Sequence, residues 1–178
     1  MATQKWISDP THSELQFKVK HLMISKITGS FTDFTVQAET QDDDFQSAQI
    51  TAKVQLDSVV TGQADRDKHL KSGDFFDTEA NPTMDFTSSK IVKTGDEDYE
   101  LDGALTIKGV TKPVSLKLEY GGTAVDPWGN TKAAFSIDGK ISRKDWGLTY
   151  NAPLEAGGVM ISDEVKILGE IQLIKSAE

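Results

Sequence analysis

The side chains with the widest chemical range in this sequence are its three histidines, His12, His21 and His69. Three imidazoles suffice to hold a zinc ion with one position open for a reacting water. Their spacing matches no metal signature, and a lone histidine on a strand or helix is more often a hydrogen-bonding or surface group, so no metal site is expected. The densest titratable cluster is Asp65-Arg66-Asp67-Lys68-His69. Acids at the front of a helix with bases behind them suit the helix dipole, which accounts for the run without any chemistry. Arg66 and His69 nevertheless both donate hydrogen bonds of the kind a phosphate or carboxylate accepts. Asp57, Asp74, Asp77 and Glu79 offer carboxylate pairs, but with 28 acidic residues in the chain such proximity arises by chance. The patterns G-x-x-x-x-G-K, G-x-S-x-G and H-E-x-x-H do not occur in the sequence. No catalytic residue is assigned and no cofactor is implied.

The elements that must position these groups are strands. Tyr99, Leu101, Gly103, Leu105 and Ile107 alternate with polar or small residues, as do Phe135, Ile137, Gly139 and Ile141, while Val165, Ile167, Gly169, Ile171 and Leu173 sit against Lys166, Leu168, Glu170, Gln172 and Ile174. A period of two with one apolar side means antiparallel strands with one buried face. A first strand begins near His12 and turns Leu15, Phe17 and Val19 inward, and a longer, irregular one runs from about Ile27 to Glu39. Asp42-Asp43-Asp44 marks an exposed turn before Ile50, Ala52, Val54 and Leu56. A fourth strand carries Met84 and Phe86 from Pro82 to the Gly95-Asp96 turn. The strand from Tyr99 stops at Gly109, and Val114 to Tyr120 form the next. A loop bracketed by Gly121-Gly122 and Pro127-Trp128-Gly129-Asn130 precedes the strand ending at Arg143, and the last fills Val165 to Ile174. His21 to Lys26 reads as one helical turn or a bulge. Thr61 to Phe76 is the one helix expected, placed as a lid on a barrel end. About eight strands with hairpin links is the count at which an up-and-down barrel holds one small ligand. Glycines amid a buried face either let a strand bend or leave interior space, and a filled sandwich with tolerated glycines remains the alternative. On the interior-space reading, a large side chain at Gly103 or Gly139 would cut ligand uptake and spare the fold.

Composition narrows the partners. The 178 residues read as a single domain over 1–178, with 37% hydrophobic residues, a mean hydropathy of −0.39 and no cysteine. The absence of cysteine excludes disulfides, thiolate metal sites and cysteine nucleophiles. A net charge of −9 argues against nucleic acid as a partner, since sequence-tolerant binding needs a basic surface. It also disfavours an anionic bilayer, so stable membrane insertion is not expected, and no apolar run nears the roughly 20 residues of a membrane span. The first ten residues have neither a basic start nor an apolar stretch, so the sequence as written reads as cytoplasmic, and as periplasmic if it is a processed mature form. A homodimer is left open, because barrel exteriors pair through few residues.

The order of motifs resembles the YceI-like family of polyisoprenoid-binding proteins. The matching segments are Asp9-Pro10-Thr11-His12-Ser13, Phe17, Lys20-His21-Leu22 and Gly29-Ser30-Phe31, then Arg66-Asp67-Lys68-His69-Leu70-Lys71-Ser72 and Asp74-Phe75-Phe76-Asp77. Asn81-Pro82, Phe86-Thr87-Ser88, the stretch from Gly103 to Val114, Arg143, Trp146-Gly147 and Val165 complete the series. The resemblance implies an all-β fold, an extended eight-stranded antiparallel lipocalin-like barrel with one short lid helix near 61–76. It further implies non-catalytic binding, storage or transport of an isoprenoid or other long-chain lipid in a hydrophobic tunnel. Strand parity assigns the wall to Leu15, Phe17, Phe31, Ile50, Val54, Phe86, Leu105, Ile107, Phe135, Ile137, Val165 and Ile167. Leu70, Phe75 and Phe76 are expected to close the mouth, with His21, Arg66 and His69 meeting a headgroup. The alternatives are a hydrolase or other enzyme acting on a lipid headgroup through mouth histidines and acids, and a packed barrel that binds protein on its outer sheet.

Overall fold

The computed structural model describes residues 2–151 and 160–176. The strands are β1 (Thr3–Ser8), β2 (Glu14–His21), β3 (Ser25–Phe31), β4 (Phe34–Gln41), β5 (Asp44–Gln55), β6 (Val59–Val60), β7 (Thr83–Lys93), β8 (Asp98–Ile107), β9 (Val110–Val125), β10 (Thr131–Ser142) and β11 (Ile161–Lys175). One helix, α1 (Ala64–Leu70), lies between β6 and β7. All pairings are antiparallel, in the order β1-β4-β5-β7-β8-β9-β10-β11-β2-β3-β6, and β1 also pairs with β11 to close the ring. Three strand positions are broken in two: β1 with β2, β3 with β4, and β5 with β6. Counted by position, the structure is a closed eight-stranded antiparallel barrel with one short helix, as the resemblance implied.

The breaks follow from side-chain parity. Along β3 the inward residues are Ile27, Gly29 and Phe31, whereas along β4 they are Phe34, Val36, Ala38 and Thr40. A strand continuous from Ile27 to Glu39 would turn one of these sets to solvent, so the chain kinks at Thr32-Asp33. The single long strand expected there is therefore two. Next to this kink lies the 3₁₀ turn Leu56–Ser58, whose Ser58 carbonyl accepts from the Thr32 amide while the Asp33 carbonyl accepts from the Gln55 amide at 2.9 Å. The first strand position breaks at Asp9–Ser13, and its leading half, β1, escaped the sequence reading because Trp6 is its only large inward residue. In place of the helical turn or bulge expected at His21–Lys26, a hairpin loop at Leu22–Ile24 joins β2 to β3.

A polar knot holds the β1–β2 break. The Asp9 carboxylate accepts from Lys132 Nζ at 2.7 Å, from the Thr11 amide at 3.0 Å and from Thr11 Oγ1 at 2.9 Å, and His12 Nδ1 lies 2.9 Å away. The Lys132 ammonium, helped by His12 and Thr11 against burial, holds the Asp9 carboxyl well below the usual carboxylate range.

The end of the barrel carrying β1 is filled. Trp6, Phe45, Tyr120 and Phe135 stack in tilted and edge-on contacts, with the Phe45 and Phe135 centroids 4.9 Å apart. Trp6 is nearly fully buried and its indole donates to Thr40 Oγ1 at 3.1 Å. Toward the other end β6 has no further strand beside it, and α1 with the turn after it packs there, bringing Leu70 and Phe76 against Phe31, Val54, Leu56 and Val59.

The mid-face glycines make room for neighbours, which corrects the expectation that they leave space for a ligand. A Cβ at Gly103 would lie 2.5 Å from both the Phe86 ring and the Thr87 carbonyl oxygen, and one at Gly139 would overlap the end of Leu116. Gly29 sits beneath the Phe17 ring in the same way. An aromatic ring laid over a glycine restores the packing the missing side chain forfeits.

Two outcomes are expected. Gly103→Ala should destabilise the protein by about 1–3 kcal/mol in urea unfolding, and more than Gly139→Ala, because a backbone oxygen yields less than a leucine methyl. Asp9→Asn should cost roughly 2–3 kcal/mol at pH 7. Because the folded carboxyl titrates below its unfolded value near 4, the wild-type advantage is complete above that pH and fades below it. The two unfolding curves should thus converge in acid.

Candidate functional site

Between the aromatic plug and α1 the barrel is hollow. A cavity of about 430 Å³ lies under α1, within the range of small-molecule sites. A second of about 110 Å³ continues toward the plug, and Met84 and Ile167 border both. Inward positions of β2, β3, β8, β10 and β11 supply the wall of the larger one, because each strand turns alternate apolar residues inside.

The sequence-derived wall residues divide between the two spaces. Phe17, Phe31, Ile107, Val165 and Ile167 line the larger, together with Leu70, Phe75 and Phe76. Leu15, Ile50, Val54, Phe86, Leu105, Ile137 and Ile167 line the smaller. Phe135 lines neither and is corrected to the plug, since parity gives the face of a strand but not the height along the barrel. His21, Arg66 and His69 converge on the rim of the larger cavity, whereas His12 stays in the Asp9 knot, so the three histidines do not form one group.

The rim is built by local hydrogen bonding. Gln63 caps α1, its side chain accepting from the Arg66 amide at 2.8 Å. Thr61 ties the strand before the helix to its first turn. Its amide donates to Asp67 Oδ1 at 2.8 Å, and its hydroxyl accepts from Arg66 Nε at 2.7 Å while the Thr61 carbonyl accepts from Nη2 at 2.7 Å. This fixes the guanidinium at the cavity edge, and among the described residues Arg66 has no acidic partner. His69 Nε2 lies 2.8 Å from Asp74 Oδ2, and its ring meets Phe75 and Tyr150 edge-on at 5.0 and 4.8 Å. The turn after α1 is tied by the Phe76 amide to the Leu70 carbonyl and the Asn81 amide to the Asp77 carbonyl, at 3.0 and 2.8 Å. Phe75 and Phe76 are thereby directed inward.

Sequence reasoning missed Arg143 as part of this site. It is only 4% exposed and lines the cavity. Its guanidinium donates to the carbonyls of Ser162 (3.0 Å), Leu148 (2.7 Å), Tyr150 (2.8 Å) and Ile161 (3.4 Å). Burial draws its pKa below the ordinary arginine value, against the pull of Asp163 4.0 Å away. The signal was available, since Arg143 continues the inward parity of Phe135, Ile137, Gly139 and Ile141. Lys20, Ile27, Leu148, Tyr150, Met160 and Ile161 are among the other lining residues that sequence reasoning did not assign to the site. The result is an apolar chamber with cationic groups at its rim.

A family model described as the YceI-like domain matches residues 6–173. A UPF0312 protein of Staphylococcus epidermidis is 39% identical over 163 residues, covering 91% of this chain and 92% of that one. Among solved structures, the Campylobacter jejuni YCEI protein superposes with a TM-score of 0.77 at 32% identity, over 90% of this chain and 91% of that one. A polyisoprenoid binding domain from Saccharophagus degradans shares the fold with a TM-score of 0.64 at 16% identity, over 97% and 98% of the two chains.

Arg143→Lys retains the charge but replaces a five-donor planar fork with a point charge on a flexible stem. It is expected to lower stability by about 2–3 kcal/mol in urea unfolding. Wild-type stability in that variant would mean the carbonyl cage is not holding the rim together.

Proposed function

The chain belongs to the YceI-like domain family, and from that premise we propose that its larger cavity takes the apolar tail of one long-chain lipid, an isoprenoid or similar amphiphile, and holds it without chemical change. The observation that carries this is the pairing of a largely apolar chamber with a rim arginine, Arg66, fixed by Thr61 and lacking an acidic partner among the described residues. An apolar tail gains about 25 cal/mol per Å² on burial and asks little of the wall beyond shape. The rim donors Arg66, Lys20 and His21 suit a phosphate, carboxylate or other electron-rich headgroup. The polyisoprenoid binding recorded for the Saccharophagus degradans domain supports an isoprenoid among the candidates.

The two cavities, of about 430 and 110 Å³, share Met84 and Ile167, so a tail that enters the larger can run on toward the smaller. A hydrolytic role would start from His69 and Asp74. Their contact instead seats the imidazole edge-on against Phe75 and Tyr150, which is a positioning arrangement.

Titration with a fluorescent polyene fatty acid is expected to show one site per chain. Val165→Trp, which fills the chamber, should weaken binding at least tenfold, a loss of about 1.4 kcal/mol. Arg66→Gln should weaken the acid but leave its methyl ester unchanged. Saturable binding undiminished by Val165→Trp would overturn the proposed site.

A further inference from the structure

The hairpin joining β2 to β3 carries three consecutive apolar residues at its tip. Leu22, Met23 and Ile24 are 40%, 52% and 85% exposed. Leu22 and Met23 also adopt left-handed backbone, with φ of 56° and 64°. Turns of this kind favour glycine, asparagine or aspartate, and a bulky apolar residue there is a steric outlier. The tip thus combines exposed apolar surface with backbone strain, and neither benefits the fold.

Its surroundings name the partner. Lys20 and Lys26 face each other directly across the hairpin, and residues 18–28 include three lysines, one histidine and no acid, in a chain of net charge −9. The next residues inward, Lys20 and His21, line the larger cavity. We infer that this hairpin is a membrane-docking tip, in which Leu22, Met23 and Ile24 enter the interface of an anionic bilayer while Lys20 and Lys26 meet its headgroups, presenting the cavity rim to the lipid surface. An apolar wedge flanked by lysines fits the interface, whose apolar layer and negative surface potential reward the two parts separately. The acidic remainder of the protein opposes closer approach, so contact is confined to the tip and is reversible. Trp128, 81% exposed on the turn between β9 and β10 near the plugged end, lines neither cavity and serves as the internal control.

The inference extends the carrier proposal, and its test reads docking apart from lipid uptake. Full-length protein is sedimented with phosphatidylcholine vesicles prepared with and without phosphatidylglycerol. Wild type is expected to bind the anionic vesicles, more weakly as salt is raised. L22N/M23G/I24S places turn-forming residues at the strained positions, so it should fold at least as stably as wild type. It should lose vesicle binding about tenfold or more while still taking up a fluorescent fatty acid delivered from ethanol. K20E/K26E should abolish the preference for phosphatidylglycerol, and W128S should bind as wild type does. Absence of wild-type sedimentation with anionic vesicles would overturn the docking inference. So would undiminished binding by L22N/M23G/I24S, or a comparable loss in W128S. Failure of uptake in wild type would strike the carrier proposal instead.

Discussion

The structure depends on one edge of β11 serving two partners at once while β10 pairs along the other. Its C-terminal residues pair with β1, Leu173 opposite Ser8 and Lys175 opposite Trp6, while Val165 to Glu170 pair with β2. Because β1 and β2 are successive pieces of one chain segment, both pairings hold only if the connection between them turns without losing its place. The Asp9 knot fixes that connection from within, through Lys132 of β10 and the Thr11 and His12 groups beside it. Ring closure at one end and the hairpin flap of β2 and β3 at the other are consequences of this single constraint. Without the breaks the barrel would be a uniform tube.

The hollow follows from the same geometry. On the β1 side of the breaks four aromatic rings fill the interior. On the other side the sheet ends at β6, and a short helix with a self-bonded turn covers the opening. A lid of this kind contributes few buried residues of its own. None of α1 is fully buried, and the chamber lies beneath it. Polar satisfaction around the rim comes from backbone carbonyls gathered on Arg143 and from the Thr61 clamp on Arg66. Arg66 can then sit beside an apolar space with no acidic partner among the described residues.

Much of this was legible in the sequence. Alternation identified the inward face of β5, β8, β10 and β11, and the resemblance supplied the closed topology that parity alone cannot. What stayed hidden was of two kinds. Height along the barrel is not encoded in a period of two, so Phe135 was assigned to the wall when it belongs to the plug. Contacts across the interior are not encoded either, so Gly103 and Gly139 read as space when Phe86 and Leu116 occupy it. The break between β3 and β4 was written in the change from odd to even inward positions at Thr32-Asp33. Arg143 was written in the parity of β10. Both required following parity past the point where the apolar run became irregular.

The central claim is that the chamber is a lipid site. The most direct measurement is to incubate the protein with vesicles carrying a mixed pool of isoprenoids and fatty acids, re-isolate it, denature it, and identify the extracted lipid by mass spectrometry. One retained long-chain amphiphile per chain is the expected result. An extract without stoichiometric lipid after that exposure would contradict the account and leave a hollow barrel without a cargo.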